Sequence, residues 1–191
     1  MEDKKLSEKE SLELITQTIK NTQSGIVKEA GMPFLVYGYS TVAFALCIWY
    51  FITTTNNPNW MFLWFLLPIF GTAITRVYNK RKTSKVKIYT DRIIKYVWLV
   101  FGSTVILISC ASFVFSIPSI LFLIMLLIGM ETTLTGLIIR FKPVIFSGIT
   151  GIALSFLCTA IHGTDQLLLF AIIFVVIMII PGHILNNQHK E

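Results

Sequence analysis

The chain has 191 residues, of which 54% are hydrophobic and 14% are charged, and its formal net charge is +6. With a mean hydropathy of +0.73, it carries more apolar side chain than the core of a soluble domain of this length can bury. The composition therefore excludes an ordinary water-soluble globular protein and indicates a bilayer as the natural solvent.

The first predicted element is a short amphipathic helix within the N-terminal segment, residues 1–33. Ser7 and Glu10 have capping-box spacing, so the helix should begin near Ser7, and we expect it to end before Gly31. One narrow apolar stripe follows at helical intervals: Leu12, Ile15, Ile19 and Ile26. The stripe suits protein contact better than insertion into the membrane interface, which favours bulky aromatic residues. Three partners stay open: the protein's own cytoplasmic loops, a second copy, or another protein.

Six membrane-spanning helices are predicted next, because six apolar segments reach the roughly 20 residues that a helix needs to cross a bilayer. The predicted spans are residues 34–52, 60–78, 96–117, 119–139, 143–161 and 166–185. The expected fold is thus all-α and polytopic, with a six-helix transmembrane domain at 34–185 and a tail at 186–191. Since alternate connections are short, we expect three consecutive helical hairpins.

The basic residues indicate the orientation of the chain. All sixteen Lys and Arg lie in the N-terminal segment, in residues 76–95, in the turn at 140–142 or in the tail. By the positive-inside rule, both termini are expected in the cytoplasm. The first 30 residues contain neither a cleavable signal peptide nor an organelle-targeting pattern, which favours a bacterial inner membrane.

The longest basic connection is expected to attract anionic lipid headgroups, at about 1 kcal/mol for each basic residue close to the surface. Its residues are Arg76, Lys80, Arg81, Lys82, Lys85 and Lys87. Nucleic acid is not an expected partner, because no groove-reading fold accompanies this charge.

No catalytic constellation is found in the sequence, so an enzyme is not predicted. Ser147 and His183 invite comparison with intramembrane serine proteases, but the Gly-x-Ser-Gly pattern and metalloprotease motifs are absent from the sequence. Ser147, Gly151 and Ser155 instead form a small-xxx-small ridge that favours close approach of another helix.

The three cysteines, Cys47, Cys110 and Cys158, lie at similar depths in the first, third and fifth spans. Three thiols in one layer suit a soft metal, and Cys158 and His162 have a spacing compatible with metal ligands. Buried free cysteine commonly behaves as a small apolar residue. We favour the apolar interpretation and predict neither a metal nor another cofactor.

Glu131 is the acidic residue that the predicted spans place deepest, near the bilayer centre. A charged group there costs about 2.5–3.5 kcal/mol, so the carboxyl should be protonated, hydrogen-bonded or turned toward an internal cavity. Counting depth along the other spans places four hydroxyls in the same thin layer: Thr41, Thr72, Thr104 and Thr150. Ser40, Ser103 and Thr135 lie close to it.

This polar layer has two interpretations. It is either a structural network in which protonated Glu131 donates to a neighbouring helix and the threonines bond their own preceding turns, or a midplane proton or cation site. The sequence favours the structural network and leaves the ion site open.

Two stretches, "LSEKESLELITQTIKNTQ" and "TGLIIRFKPVIFSGITG", cover about a fifth of the chain. They resemble a group of small, uncharacterised bacterial polytopic membrane proteins with a short cytoplasmic N-terminal helix. The resemblance implies an architecture and no activity. The leading hypothesis is a non-enzymatic membrane protein acting through protein partners, and the alternative is a small transporter or ion-conducting protein built around Glu131.

Overall fold

In the computed structural model, the described residues are 8–80, 89–115, 117, 119–161 and 163–187; they form helices and connections, with no β-strand among them. Six segments are long and apolar enough to cross a membrane, which confirms the predicted all-α architecture. These spans are Gly31–Thr55, Pro58–Val77, Arg92–Ala111, Ile120–Ile139, Lys142–Ala160 and Asp165–Asn187. Insertion into a bilayer and pairing as three hairpins stay predictions.

The first helix, α1 (Glu8–Thr55), runs without a break for 48 residues. The prediction of a separate N-terminal helix ending before Gly31 is therefore wrong. Pro33 lies inside α1, and a proline is tolerated there when neighbouring helices hold the chain around it. Phe34 is only 1% exposed, and a Cβ at Gly31 would lie 3.1 Å from Cβ of Leu185 in the last helix. Tertiary packing thus carries the helix through the proline.

The second span begins with a 3₁₀ helix, Pro58–Phe65, and continues as α2 (Leu66–Lys80). The third span lies in α3 (Tyr89–Ala111), which ends before the predicted residue 117. The chain turns there, and Phe113 stacks on Phe62 of the 3₁₀ helix with ring centroids 5.0 Å apart. This contact joins the second and third spans at one end.

The fourth and fifth spans form the closest pair of helices. They comprise α4 (Ile120–Ile139), α5 (Lys142–Ser155) and the short α6 (Leu157–Ala160). Arg140 takes a left-handed conformation with φ 54°, and its N–H bonds carbonyls of the last turn of α4, so the chain reverses tightly into α5. A Cβ at Gly136 would lie 2.7 Å from the backbone nitrogen of Ile145, so only glycine permits this approach.

The sixth span comprises α7 (Asp165–Phe174), a π-helical turn (Val175–Ile179) and α8 (Ile180–Asn187). It is the most buried span, because it lies between α1 and α5. Around the bundle each span packs on the next in the order second, first, sixth, fifth, fourth and third. The exposed residues Arg76, Lys95, Arg140 and Lys142 mark one end of the bundle, called here the basic end.

Candidate functional site

A cavity of about 690 Å³ lies between the second and third spans, with the first, fourth and sixth spans behind it. This volume falls within the range of about 300–1,000 Å³ that is typical of small-molecule sites. Most of the wall is apolar, and its aromatic part consists of Trp64, Phe65, Trp98, Phe113, Phe170 and Phe174. The cavity is therefore large enough to hold a ligand with an apolar body.

Glu131 is the acidic residue of the cavity wall, and α4 presents it there. The residue is 6% exposed, and its Oε1 atom is buried without a hydrogen-bond partner among the described residues. A buried acceptor without a partner costs about 1–3 kcal/mol. The carboxyl is thus available to a proton, a hydrogen-bond donor or a cation.

Other polar side chains reach the same cavity from α1, α2 and α3, and Gln166 reaches it from α7. Tyr37 and Thr41 come from α1, Thr72 from α2 and Ser103 from α3. The hydroxyl of Thr72 donates to the carbonyl of Ile69 at 3.0 Å, and the hydroxyl of Ser103 donates to its own preceding turn. Both hydroxyl protons are already bonded to the backbone. The two side chains can therefore offer a ligand in the cavity only the lone pairs of their oxygens.

No built-in cation neutralises Glu131 within the described wall of the cavity. The two titratable side chains there are the Glu131 carboxyl and the Tyr37 phenol, and neither Lys, Arg nor His contributes. The basic side chains of Arg92 and Lys95 are exposed on α3 toward the basic end. A positive charge at the carboxyl therefore has to come from a bound species.

The structure brings together part of the predicted polar layer. Thr41, which is 2% exposed, and Thr72 line the cavity with Glu131. Thr104 bonds the carbonyl of Val100 at 2.9 Å and lies away from the cavity wall, and Thr150 is exposed on α5. Counting residues gives the depth of a side chain along its helix but not the direction in which it points, which explains the difference.

Thr132, missed by the sequence analysis, is 1% exposed and lies beside Glu131 on α4. Thr135, one turn further, is fully buried, and the hydroxyl oxygens of both threonines have no hydrogen-bond partner in the described part of the chain. Glu131 and Thr135 share one helix face. The run "ETTLT" at residues 131–135 was the available signal for this buried polar cluster.

The predicted small-residue ridge on the fifth span is partly buried. Gly151 and Ser155 are buried, and Gly151 lies against Ile177 of the sixth span. Ser147 is half-buried and donates to the carbonyl of Val144 at 2.9 Å. The contact with α4 is made through Gly148, which the ridge did not include.

The cysteines are divided between two environments. Cys47 and Cys110 are exposed, whereas Cys158 is buried. Across the described ranges, no group of three or more His, Cys, Asp or Glu side chains has a geometry that would hold a metal ion. His162, the proposed companion of Cys158, lies outside those ranges.

Two predicted contact surfaces fall partly beyond the described residues. Leu12 of the N-terminal stripe is 65% exposed, and the side chains of Ile15, Ile19 and Ile26 are among those not described. In the basic connection, Arg76 is exposed and Lys80 ends α2. The rest of that group, which also lies outside the described residues, comprises Arg81, Lys82, Lys85 and Lys87.

Comparison with protein-family models, with curated proteins and with solved structures finds no match to this chain. The resemblance to small bacterial membrane proteins therefore stays a prediction that rests on the two quoted stretches. The functional assignment has to come from the chemistry of the cavity.

Proposed function

We propose that the chain is a multi-pass membrane transport protein in which the Glu131 carboxyl takes up and releases a proton inside the cavity. One observation carries this proposal: the carboxyl is 6% exposed, faces a ligand-sized cavity and has an Oε1 atom without a described partner. Carboxyls within the membrane commonly mark proton or substrate pathways, and transporters place such groups near the midplane.

The competing explanation is a purely structural role for Glu131. A structural carboxyl stabilises a helix bundle by bonding a neighbouring helix, and it gains most when every polar atom is satisfied. Here Oε1, together with the hydroxyl oxygens of Thr132 and Thr135, has no described partner. Buried polar groups without partners are unusual and suit a site that takes up a proton or a ligand, which supports the transport role.

The proposal includes a bacterial inner membrane with both termini in the cytoplasm. Its support is the distribution of charge, because the exposed residues Arg76, Lys95, Arg140 and Lys142 share the basic end. The described connection residues at the opposite end include no Lys or Arg. The carboxyl would then exchange its proton with either side of the membrane as the cavity changes access.

Proton movement in proteoliposomes tests the function. Full-length protein is reconstituted with a pH-sensitive dye inside the vesicles, and gradients of inorganic cations, organic cations, anions and neutral amphiphiles are imposed in turn. We expect wild type to move protons with at least one solute class. Glu131→Gln should abolish this movement, because an amide keeps the shape of the side chain but cannot release a proton in this range.

Thr150→Val is the matched control, since Thr150 was predicted at the same depth but is exposed on the outside of α5. Its proton movement should equal that of wild type. If no solute class drives proton movement that depends on Glu131, while wild type is folded and monodisperse, the transport function is rejected.

A second function is favoured by a separate observation, the unbroken helix α1. Its residues 8–30 continue the first span directly, so they form an extension of the same rod, and Leu12 on it is 65% exposed. We propose that this extension binds a protein partner or a second copy of the chain. Crosslinking in native membranes followed by co-purification, with and without residues 1–30, tests it; partners that persist after the deletion exclude the extension as the contact surface.

A further inference from the structure

The cavity has an opening toward the surroundings of the bundle between α2 and α3. Among the described residues, α2 packs closely on α1 and on the 3₁₀ helix, whereas α3 packs mainly on α4. Several wall residues are also exposed, and three of them lie at mid-depth on either side of the opening: Thr72 on α2, and Leu99 and Ile106 on α3, at 58% and 42%. All three lie within predicted spans, so the opening faces lipid.

Aromatic contacts hold α3 in place on either side of this opening. Toward the basic end, Trp98 on α3 packs against Phe34 and Tyr37 on α1, with ring centroids 5.8 Å and 5.4 Å away. At the opposite end, Phe113 stacks on Phe62. The second and third spans thus touch at the end opposite the basic end, while Trp98 holds α3 against α1, and the gap between α2 and α3 is open at mid-depth, where a molecule dissolved in the bilayer would arrive.

The side chains that line the cavity indicate which class of molecule would bind there. Apolar and aromatic side chains favour an apolar body, and aromatic faces also attract cations. The single carboxyl favours a positive charge, and no described wall residue supplies one. An anion would meet an acidic group and no cation, while a neutral amphiphile would leave the carboxyl without a charge partner.

We infer that the ligand of this cavity is a hydrophobic organic cation that enters from the bilayer between α2 and α3 and pairs with Glu131, an inference that rests on the proposed transport function. When the cation binds, the neutral carboxyl loses its proton to water and the resulting carboxylate pairs with the cation. One positive charge enters for each proton that leaves. The charge inside the cavity is therefore unchanged, which avoids the cost of an unpaired buried ion.

The surroundings of Glu131 make it the group that titrates in this exchange. From α1 the Tyr37 phenol faces the cavity, and it stays neutral in the physiological range. On α3, α5 and α7, which pack against α4, the charged side chains that the structure describes lie away from the cavity wall, at exposed positions. These residues are Arg92 and Lys95 on α3, Lys142 on α5 and Asp165 on α7. Cys158, which is buried in α6, likewise does not contribute to the wall.

The test uses radiolabelled tetraphenylphosphonium, a hydrophobic cation, and purified full-length protein in a scintillation-proximity assay. We expect saturable binding that strengthens as the pH rises from 6 to 8, by at most about tenfold per pH unit for an exchange of one proton. Binding in weak buffer should release a proton. Uncharged triphenylphosphine oxide, which has a similar apolar body, should not displace the cation.

Three variants make the test specific. Glu131→Gln should lose the pH dependence, the proton release and most of the binding. Gly102→Phe should lower affinity at least about tenfold while the carboxyl stays in place, because Gly102 lines the cavity and a Cβ there meets nothing within 4 Å, so a large ring fills open space. Thr150→Val, which lies outside the cavity wall, is the control and should bind as wild type. Size-exclusion profiles and thermal melting establish that each variant is folded.

The outcomes separate the ligand class from the transport function. Equal binding by folded wild type and Glu131→Gln, or displacement by the phosphine oxide, overturns the proposed ligand class. Absence of cation binding together with proton movement that depends on Glu131 and another solute also overturns the ligand class and leaves the transport function standing. If neither cation binding nor Glu131-dependent proton movement is found, both the ligand class and the transport function are overturned. Binding that is linked to pH and lost in Glu131→Gln and Gly102→Phe supports the inference.

Discussion

Gly148 on α5 lies against Thr133 on α4 so closely that a Cβ at Gly148 would be 2.5 Å from the Thr133 backbone nitrogen. A backbone atom cannot rotate away as a side chain can, so Gly148→Ala forces the two helices apart. We expect it to lower the free energy of unfolding by about 1–3 kcal/mol, as overpacking generally does. Thermal melting in detergent measures the effect.

The control for this prediction is Gly102→Ala on α3, where an added Cβ meets nothing within 4 Å. Its melting temperature should be at least that of wild type, because alanine loses less conformational freedom than glycine when the helix forms. Similar losses of stability in the two variants would contradict the assigned closeness of α4 and α5.

Glu131→Leu is expected to raise the melting temperature while it abolishes proton movement. The reason is that Oε1 of Glu131 has no described partner, and replacing an unsatisfied polar group with an apolar one of similar size is neutral or stabilising. Glu131→Gln should melt close to wild type. A marked loss of stability in Glu131→Leu would instead identify the carboxyl as part of a structural hydrogen-bond network.

Reporter fusions test the proposed orientation. A reporter that is active only in the periplasm should work when fused after Asn57 or Gly163, in connections without Lys or Arg, and should be silent after Lys82. The reverse pattern is the matched expectation for a reporter that is active only in the cytoplasm. Periplasmic activity after Lys82 would invert the topology.

The environments of the cysteines predict their reactivity. In detergent, a maleimide that partitions into the micelle should label single-cysteine variants that retain Cys47 or Cys110, both exposed on the outside of the bundle, much faster than one that retains the buried Cys158. After denaturation the three should label equally. Rapid labelling of Cys158 in the folded protein would show that the helices packed against α6 do not cover this thiol.

The sequence by itself predicted a bilayer as the solvent, and it determined the number of helices long and apolar enough to cross one and the connections that carry positive charge. These features depend on composition and on the length of apolar segments, which the thickness of the bilayer fixes. It also identified Glu131 as an exceptional residue, because a carboxyl in an apolar run is costly wherever the helix points. None of this required knowledge of which helices are neighbours.

Only the tertiary structure decided which way each side chain points. Thr41 and Thr150 were predicted at one depth, yet Thr41 lines the cavity and Thr150 is exposed. The aromatic wall, including Trp98 and Phe170, has no sequence signature because lipid and the protein interior are both apolar, so inward and outward faces look alike. Likewise, α1 continues through Pro33 because packing against the last helix, at Gly31 and Leu185, outweighs the local preference for a break.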